Sequence, residues 1–159
     1  MQKIYFTTTL PYANAEPHMG HALEFIYTDI IVRFFRQKIG KENVFFNVGT
    51  DEHGLKMYQK SQEVGKTPKE FVDFYVDKFK DFCSIFNISY DNFYRTTDEN
   101  HKKVAQEFWN KSLKNGDIYK KKYKGLYCVG CESFKTSQDL IDGKCPDHNK
   151  EPINYSEEN

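Results

Sequence analysis

The chain has 159 residues, which is enough for one domain with a sizeable core and a small appendage. Lys and Arg together number 23, as do Asp and Glu, so no overall electric field attracts nucleic acid and any such contact has to be local. The N-terminus lacks the pattern of a signal peptide and no apolar stretch reaches the ~20 residues that span a bilayer, which predicts a soluble, cytosolic protein without a membrane partner.

The first part of the chain alternates strand and helix patterns. β-Branched and aromatic residues predict a short buried strand over 3–10. A long apolar run predicts a helix from about His18 to Lys38 that is enclosed on most sides. A second buried strand follows over 43–49. Strand, helix and strand within about fifty residues imply a right-handed crossover and a parallel sheet.

Two further helical patterns follow the second strand. A short helical stretch ends near Gly65, and the next helix starts with a capping box formed by Thr67, Pro68 and Glu70. Aromatic residues at helical spacing in this helix predict one stripe that faces the core: Phe71, Phe74, Tyr75, Phe79, Phe82 and Phe86.

The alternation of strand and helix patterns ends near Gly116. A strand over 92–97 and a helix from about Asp98 to Lys114 are followed by short strand-like pieces and turns. We therefore predict an α/β domain over 1–115 and a small insertion over 116–159. A basic run over 120–124 in the insertion is either a solvated hairpin edge or a patch for RNA.

The cysteines of the insertion form a metal-binding pattern. Cys128, Cys131, Cys145 and His148 crowd into one segment, whereas Cys83 stands alone. Two ligands separated by two residues point inward from one tight turn, and two such turns supply three sulfurs and one nitrogen, which suits tetrahedral zinc. Because the protein fills all four positions, we predict one structural zinc ion per chain. The alternatives are a coincidental set of free thiols and an insertion that has lost its metal.

Two histidines mark the junction between the first loop and the first helix. His18 and His21 share one face of the first helical turn, where exposed NH groups and the helix dipole favour anions. They would donate hydrogen bonds to a phosphoryl oxygen, while Gly20 would let a base or a ribose approach the backbone. A second polar cluster over 51–53 follows the second strand, and ligands of such sheets bind beyond the carboxyl ends of the strands.

Other interpretations of these polar residues stay open at this point. Two partly buried histidines bonded to backbone have the same spacing. His18 and His21, with Glu24 or His53, would also suit a metal ion. The cluster of Asp51, Glu52 and His53 fits a polar turn that caps the next helix equally well.

Three segments resemble a known family. TTTLPYANAEPHMGHALE, NVGTDEHGLKM and NISYDNFYRTTD stand in the order and approximate spacing of the catalytic domain of the methionyl-tRNA synthetase family, a group of class I aminoacyl-tRNA synthetases. HMGH corresponds to the HIGH signature of that class, and the cysteine segment corresponds to a single-zinc knuckle. The resemblance implies an α/β fold, the first half of a Rossmann-like parallel sheet, with a small zinc-knuckle insertion.

The resemblance also implies a nucleotide site. His18 and His21 would be catalytic: they would bind the phosphates of ATP and stabilise the adenylation transition state. Gly20 and Glu24 would lie on the nucleotide side, and Mg²⁺ would accompany ATP.

The resemblance implies a methionine site as well. Leu10 and Tyr12 would line the pocket for the side chain of L-methionine, and Asp51 would hold its amino group. The methionine carboxylate would attack the α-phosphorus of ATP, and the methionyl group would then pass to tRNA(Met).

The chain departs from the family's pattern downstream of these motifs. The KMSKS loop, whose lysine completes the pyrophosphate clamp, has no counterpart; the nearest string, LKMY at 55–58, lies in the wrong half of the fold. The rest of the sheet and the helical domain that reads the anticodon have no counterpart either. We therefore expect the N-terminal piece of a longer enzyme, and we expect this piece alone to form methionyl-adenylate poorly.

Two rival functions belong to other classes. Small nucleotidyltransferases also carry H-x-G-H at a junction between strand and helix, but they need neither the cysteine segment nor PYANAEP. A non-enzymatic alternative is an RNA-binding module that uses the zinc knuckle and the basic run over 120–124.

Overall fold

The chain folds into two compact units. A computed structural model describes residues 3–158, and in it the first unit ends at Lys102 and the second begins at Lys103. This division falls inside the last long helix. The domain boundary after residue 115 stays a prediction from the sequence.

The first unit is an α/β unit with a three-stranded sheet. Its elements are β1 (Ile4–Thr7), α1 (Met19–Ile39), β2 (Val44–Thr50), α2 (Leu55–Glu63), α3 (Pro68–Ile85), β3 (Asn92–Arg95) and α4 (Glu99–Asn115), the last of which continues into the second unit. The strand order is β1-β2-β3, and both neighbouring pairs are parallel. The predicted α/β class and parallel sheet are therefore confirmed.

Local sequence signals account for where the helices begin and end. The Thr67 hydroxyl accepts a hydrogen bond from the Glu70 N–H at 3.2 Å, and the Thr67 N–H donates to Glu70 Oε2 at 2.9 Å. These two bonds close the predicted capping box at the start of α3. Helix α1 ends at Gly40, whose φ of 90° a residue with a side chain rarely adopts.

The core of the first unit lies between the sheet and the helices. One cluster joins α1, β2 and α3 and contains Phe25, Val32, Phe46, Val48 and Phe82. A second cluster contains Met57, Phe71, Val72 and Val76, together with Ala13 from the loop after β1. Because Ala13 is fully buried, it fixes that loop against α2 and α3.

The prediction that α1 is enclosed on most sides was wrong. Buried α1 residues form one narrow stripe, whereas Leu23 is 60% exposed and Ile30 and Phe34 are each 57% exposed. A helix with hydrophobic residues on all sides is usually buried on all sides. The sequence of the helix does not show, however, whether other parts of the chain cover each side. In the first unit, α1 packs through a single face on the sheet and on α3.

The prediction of one aromatic core stripe on α3 was correct only in part. Phe71, Phe79 and Phe82 are buried, but Phe74 and Phe86 are 46% and 40% exposed. Phe74 lies at the margin of the stripe, where the ammonium groups of two lysines approach its ring to 5.0 Å and 5.4 Å. Such contacts stabilise a half-exposed aromatic ring.

After α4, the second unit consists of short strands and turns, as expected, and the strands pair antiparallel. β4 (Lys122–Cys128) lies between β5 (Ser133–Lys135) and β6 (Ile153–Glu158) in the order β5-β4-β6. Aromatic rings of the three strands pack together, with Tyr127 next to both Phe134 and Tyr155. Across residues 3–158, each helix is too short or too polar to cross a membrane.

Candidate nucleotide and metal sites

The loops after β1 and β2 lie side by side at the carboxyl end of the sheet. The Asp51 N–H donates to the Pro11 carbonyl at 2.9 Å, and the Ala13 N–H donates to the Asp51 carbonyl at 3.0 Å. These bonds form a parallel bridge that places Tyr12 beside Asp51. The structure therefore brings together two of the residues predicted to bind methionine, and the third, Leu10, lies half-buried in the same loop.

The two histidines form one stacked pair at the start of α1. Their ring centroids are 3.9 Å apart and the ring planes differ by 25°. His18 is the N-cap residue of the helix, and its Nδ1 accepts a hydrogen bond from the Gly20 N–H at 3.0 Å. The His18 N–H in turn donates to His21 Nδ1 at 3.1 Å. The histidines therefore make backbone hydrogen bonds, as one open interpretation held, through Nδ1 in both cases.

These bonds determine which ring nitrogen carries the proton. A neutral imidazole has one donor and one acceptor nitrogen, so a ring whose Nδ1 accepts carries its hydrogen on Nε2. His18 and His21 therefore both present an Nε2–H. The pair offers two neighbouring donors at a helix N-terminus, an arrangement suited to an anionic oxygen.

His21 favours its neutral form. Burial lowers the pKa of His21 below its usual value, and the neighbouring His18 lowers this pKa further, while Glu24 acts in the opposite direction. The edge of the Phe79 ring, 5.3 Å away between centroids, forms part of this apolar surrounding. Donation through Nε2–H thus needs no positive charge on the ring.

Gly20 lies against the ring of His18, whereas the sequence predicted that a base or a ribose would approach it. A Cβ at this position would come within 2.8 Å of His18 Cε1, which is too close for an atom of a fixed ring. The absent side chain therefore makes room for the His18 imidazole. The approach of a base or ribose to the Gly20 backbone stays a prediction.

Glu24 ties the first helix to the loop after β1. Its carboxylate accepts from the Thr9 N–H at 2.5 Å and from the Thr9 hydroxyl at 2.7 Å. These bonds hold the loop that carries Leu10 and Tyr12 against the first turns of α1. Glu24, itself predicted to lie on the nucleotide side, thus connects α1 to the loop that is predicted to bind methionine.

Within residues 3–158, the histidine pair belongs to no group of three or more possible metal ligands. Among the residues that the structure describes, one place gathers three or more His, Cys, Asp or Glu side chains at ligand distance, and it is the cysteine cluster of the second unit. His53 instead places its Nε2 3.1 Å from the Thr96 carbonyl. The described residues therefore bring no third metal ligand to His18 and His21, and the binding of phosphate by this pair stays a prediction.

Sequence reasoning missed a buried ion pair beneath this surface. The Glu52 side chain is fully buried, and Arg95 donates to its two oxygens at 2.7 Å and 2.8 Å. Burial alone would raise the pKa of Glu52, but hydrogen bonds from Arg95, Thr50 and Thr97 outweigh it and lower this pKa below its usual value. Arg95 also donates to Asp73 of α3 at 2.5 Å. One network therefore joins the ends of β2 and β3 to α3.

Replacing Glu52 with Gln should lower the free energy of unfolding by about 3 kcal/mol near neutral pH, because Arg95 loses its buried charged partner. The lowered pKa means that the stabilisation is complete above the ordinary value of 4.5 and is lost as pH falls through the lower folded-state value. Urea unfolding of the chain as a function of pH measures both effects. Glu63→Gln, at an exposed carboxylate of α2, is the matched control. Equal stability of the two variants would contradict the prediction.

The cysteine cluster of the second unit has the dimensions of a tetrahedral metal site. The ligand atoms of Cys128, Cys131, Cys145 and His148 all lie within 4.8 Å of one another. Cys131 Sγ is 3.5 Å from Cys145 Sγ and 3.4 Å from His148 Nδ1. A zinc ion with sulfur at ~2.3 Å and nitrogen at ~2.0 Å gives edges of about 3.5–3.8 Å. The structure thus confirms a Cys₃His group suited to a metal ion.

The thiols of this cluster interact strongly with one another. A backbone hydrogen bond at Cys131 lowers the pKa of Cys128, and the bond to His148 lowers the pKa of Cys145. Burial, followed by the two neighbouring thiols, raises the pKa of Cys131 to about 11. Lowered pKa values at two thiols and a raised pKa at the third mean that the three do not ionise together without a cation. A metal ion bound among the sulfurs would deprotonate all three, because a coordinating thiol loses its proton.

The basic run of the second unit lies opposite acidic residues. Lys122 on β4 pairs with Glu158 on β6, and Tyr123 pairs with Glu157. The Lys120 ammonium lies 3.9 Å from a carboxylate oxygen of Glu158. Opposite charges on neighbouring strands favour the hairpin-edge interpretation over an RNA patch.

The chain is similar to known proteins over almost its entire length. The family model described as tRNA synthetases class I (M) matches residues 4–157. The methionine–tRNA ligase of Thermotoga maritima is 46% identical over 160 residues, and that of Clostridium acetobutylicum is 45% identical over 146 residues. These alignments cover 98% and 92% of this chain but 25% and 22% of the two relatives.

A solved structure shows the same fold. Mycobacterium tuberculosis methionyl-tRNA synthetase in complex with methionyl-adenylate superposes with a TM-score of 0.90 at 37% identity, over 99% of this chain and 31% of that one. The chain spans about a quarter of the length of the curated relatives it matches. With a family model that covers nearly every residue, the chain belongs to the tRNA synthetases class I (M) family.

Proposed function

We propose that this chain is the N-terminal part of a methionine–tRNA ligase, an enzyme that activates L-methionine with ATP and transfers the methionyl group to tRNA(Met). The observation that carries the proposal is the stacked pair of His18 and His21, whose two Nε2–H donors lie at the end of the loop in which Tyr12 forms a bridge with Asp51. Relatives named as methionine–tRNA ligases support the choice of amino acid.

In the first step, the methionine carboxylate attacks the α-phosphorus of ATP and pyrophosphate leaves. Negative charge spreads over the phosphoryl oxygens in the pentacoordinate transition state. The Nε2–H groups of His18 and His21 donate to these oxygens, and the N-terminus of α1 adds its dipole. Mg²⁺ enters with ATP as part of the substrate. Catalysis on this route needs position and charge but no covalent intermediate.

The methionine substrate would bind at the adjoining bridge between the two loops. The Asp51 carboxylate would accept hydrogen bonds from the ammonium group, and Leu10 and Tyr12 would contact the thioether side chain. Glu24 supports this site because it holds Thr9, next to Leu10, at 2.5 Å and 2.7 Å.

The cysteine cluster would hold one structural zinc ion. Three thiolates and one imidazole leave no position for a substrate or a reactive water. The ion would supply folding free energy to the second unit. We also propose that the protein is cytosolic, because a reducing compartment keeps the thiols available for zinc.

A chimera tests the proposed function. The full chain replaces the matching segment of the Thermotoga maritima methionine–tRNA ligase, and ATP–pyrophosphate exchange is measured with methionine and with other amino acids. We expect exchange that depends on methionine. The isolated chain, assayed in parallel, should show little exchange, because it has no counterpart of the KMSKS lysine. Removing a single preorganised donor commonly costs about 10²–10³ in rate. A folded chimera without methionine-dependent exchange would refute the proposal.

A further inference from the structure

Thr96 lies at the point where the polar residues of β2 and β3 meet. It follows directly after β3, and its N–H donates to the Thr50 carbonyl at 3.2 Å, so that strand pairing continues past the end of β3. The side chain is buried, with 8% of the residue exposed. A buried hydroxyl next to the polar cluster is therefore held in a fixed direction.

The hydroxyl of Thr96 has a defined role in each of its hydrogen bonds. It accepts from the Glu52 N–H at 2.8 Å. Because this bond uses a lone pair, the hydroxyl proton stays available for an acceptor. The hydroxyl donates to Asp51 Oδ1 at 3.4 Å. Thr96 thus donates toward the carboxylate that would hold the ammonium group of methionine.

The backbone of Thr96 contributes a further contact on the same side. Its carbonyl oxygen lies 3.1 Å from His53 Nε2, and the His53 N–H donates to Asp51 Oδ1 at 3.4 Å. Asp51 Oδ1 therefore receives one bond from the hydroxyl and one from the backbone next to it. Two long bonds to one oxygen restrict the rotation of the carboxylate and so bias the direction of Oδ2.

The ion pair of Glu52 and Arg95 anchors the residues on both sides of Thr96. Its neighbours Arg95 and Thr97 both bond to the Glu52 carboxylate, at distances of 2.5–2.8 Å. Residues 95 to 97 thus grip Glu52 through two side chains at its carboxylate and one at its N–H. Asp73 of α3 holds Arg95 from the other side. A side chain between two such anchors is preorganised.

We propose that Thr96, fixed by the ion pair of Glu52 and Arg95, is a positioning residue that orients the Asp51 carboxylate toward the ammonium group of the amino acid substrate. The assignment rests on the proposed function, since it takes Asp51 as the group that binds methionine. Thr96 itself touches neither substrate nor reacting atoms.

The test uses the chimera with Thr96→Val, which removes the hydroxyl and keeps the shape of the side chain. We expect the KM for methionine to rise about tenfold and the KM for ATP to stay unchanged, because the Asp51 carboxylate, which would bind methionine and not ATP, loses its hydrogen bond from the hydroxyl. Thr96→Ser keeps the hydroxyl and should restore the unmutated KM. If Thr96→Val does not fold, Thr96→Ala carries the same prediction.

Two competitive inhibitors connect the effect to the ammonium group. The Ki of L-methioninol, which keeps that group, should rise in Thr96→Val by the same factor as the KM for methionine. The Ki of the deamino analogue of methioninol, in which hydrogen replaces the ammonium group, should not change. Equal rises for both inhibitors would show that the pocket as a whole has shifted and would overturn the assignment.

Other outcomes separate this inference from the proposed function. An unchanged KM for methionine in Thr96→Val, or a lower kcat with both KM values unchanged, would reduce Thr96 to a structural residue and overturn the inference alone. A folded unmutated chimera without methionine-dependent exchange would overturn the proposed function and, with it, the role of Thr96.

Discussion

Replacing His18 or His21 with Ala in the chimera is expected to lower kcat for methionine-dependent exchange by about 10²–10³, the usual effect of removing one donor from a developing oxyanion. The structure gives each ring a separate Nε2–H, because each Nδ1 is occupied by a backbone N–H. The loss should fall mainly on kcat, since the charge that these donors meet is largest in the transition state.

Substitution by Gln refines this prediction. A glutamine side chain carries an NH₂ group near the position of Nε2, so His21→Gln should retain more activity than His21→Ala. His101→Ala is the control, because His101 lies against the ring of Tyr94, with centroids 5.5 Å apart, and takes no part in the proposed site. Rates within threefold of the unmutated chimera for His18→Ala and His21→Ala, roughly 0.6 kcal/mol, would contradict the assigned role.

The second large effect concerns the metal cluster. The unaltered chain should contain one equivalent of zinc, and Cys128→Ser with Cys145→Ser should abolish zinc binding. Structural zinc sites of this kind contribute about 10–16 kcal/mol of apparent binding free energy, so the second unit should lose its folded structure along with the metal. Elemental analysis measures zinc, and amide NMR dispersion of β4 to β6 measures folding.

Cys83 supplies the matched control for the cysteine variants. It is buried in the core of the first unit, where burial raises the pKa of its thiol to about 12. Cys83→Ala should therefore keep the full zinc content. Retention of zinc by the double variant, or loss of zinc from Cys83→Ala, would show that the ligands have been assigned incorrectly.

Local signals made most of the fold predictable. The capping box of Thr67 and Glu70 is complete within four residues, and the start of α3 was therefore predicted correctly. The ligand spacing of the cysteine segment likewise depends on two short turns. Strand β1 is shorter than the predicted strand over 3–10, since its pairing with β2 ends at Thr7.

Long-range contacts account for what the sequence did not predict. Glu52 and Arg95 are separated by 43 positions, and nothing in either local pattern indicates that their side chains meet. The exposed face of α1 is a similar case: its apolar residues indicate burial, yet the described residues of the first unit bury only the stripe that faces the sheet and α3. The sequence also did not show that the His18 ring would fold against Gly20 and take the space of a side chain there.

A crystal structure of the chimera with methionine and a non-hydrolysable ATP analogue tests the central claim most directly. The account predicts phosphate oxygens about 2.7–3.2 Å from Nε2 of both His18 and His21, with the ammonium group of methionine on Asp51. A triphosphate bound elsewhere, or a metal ion held between the two imidazoles, would contradict it.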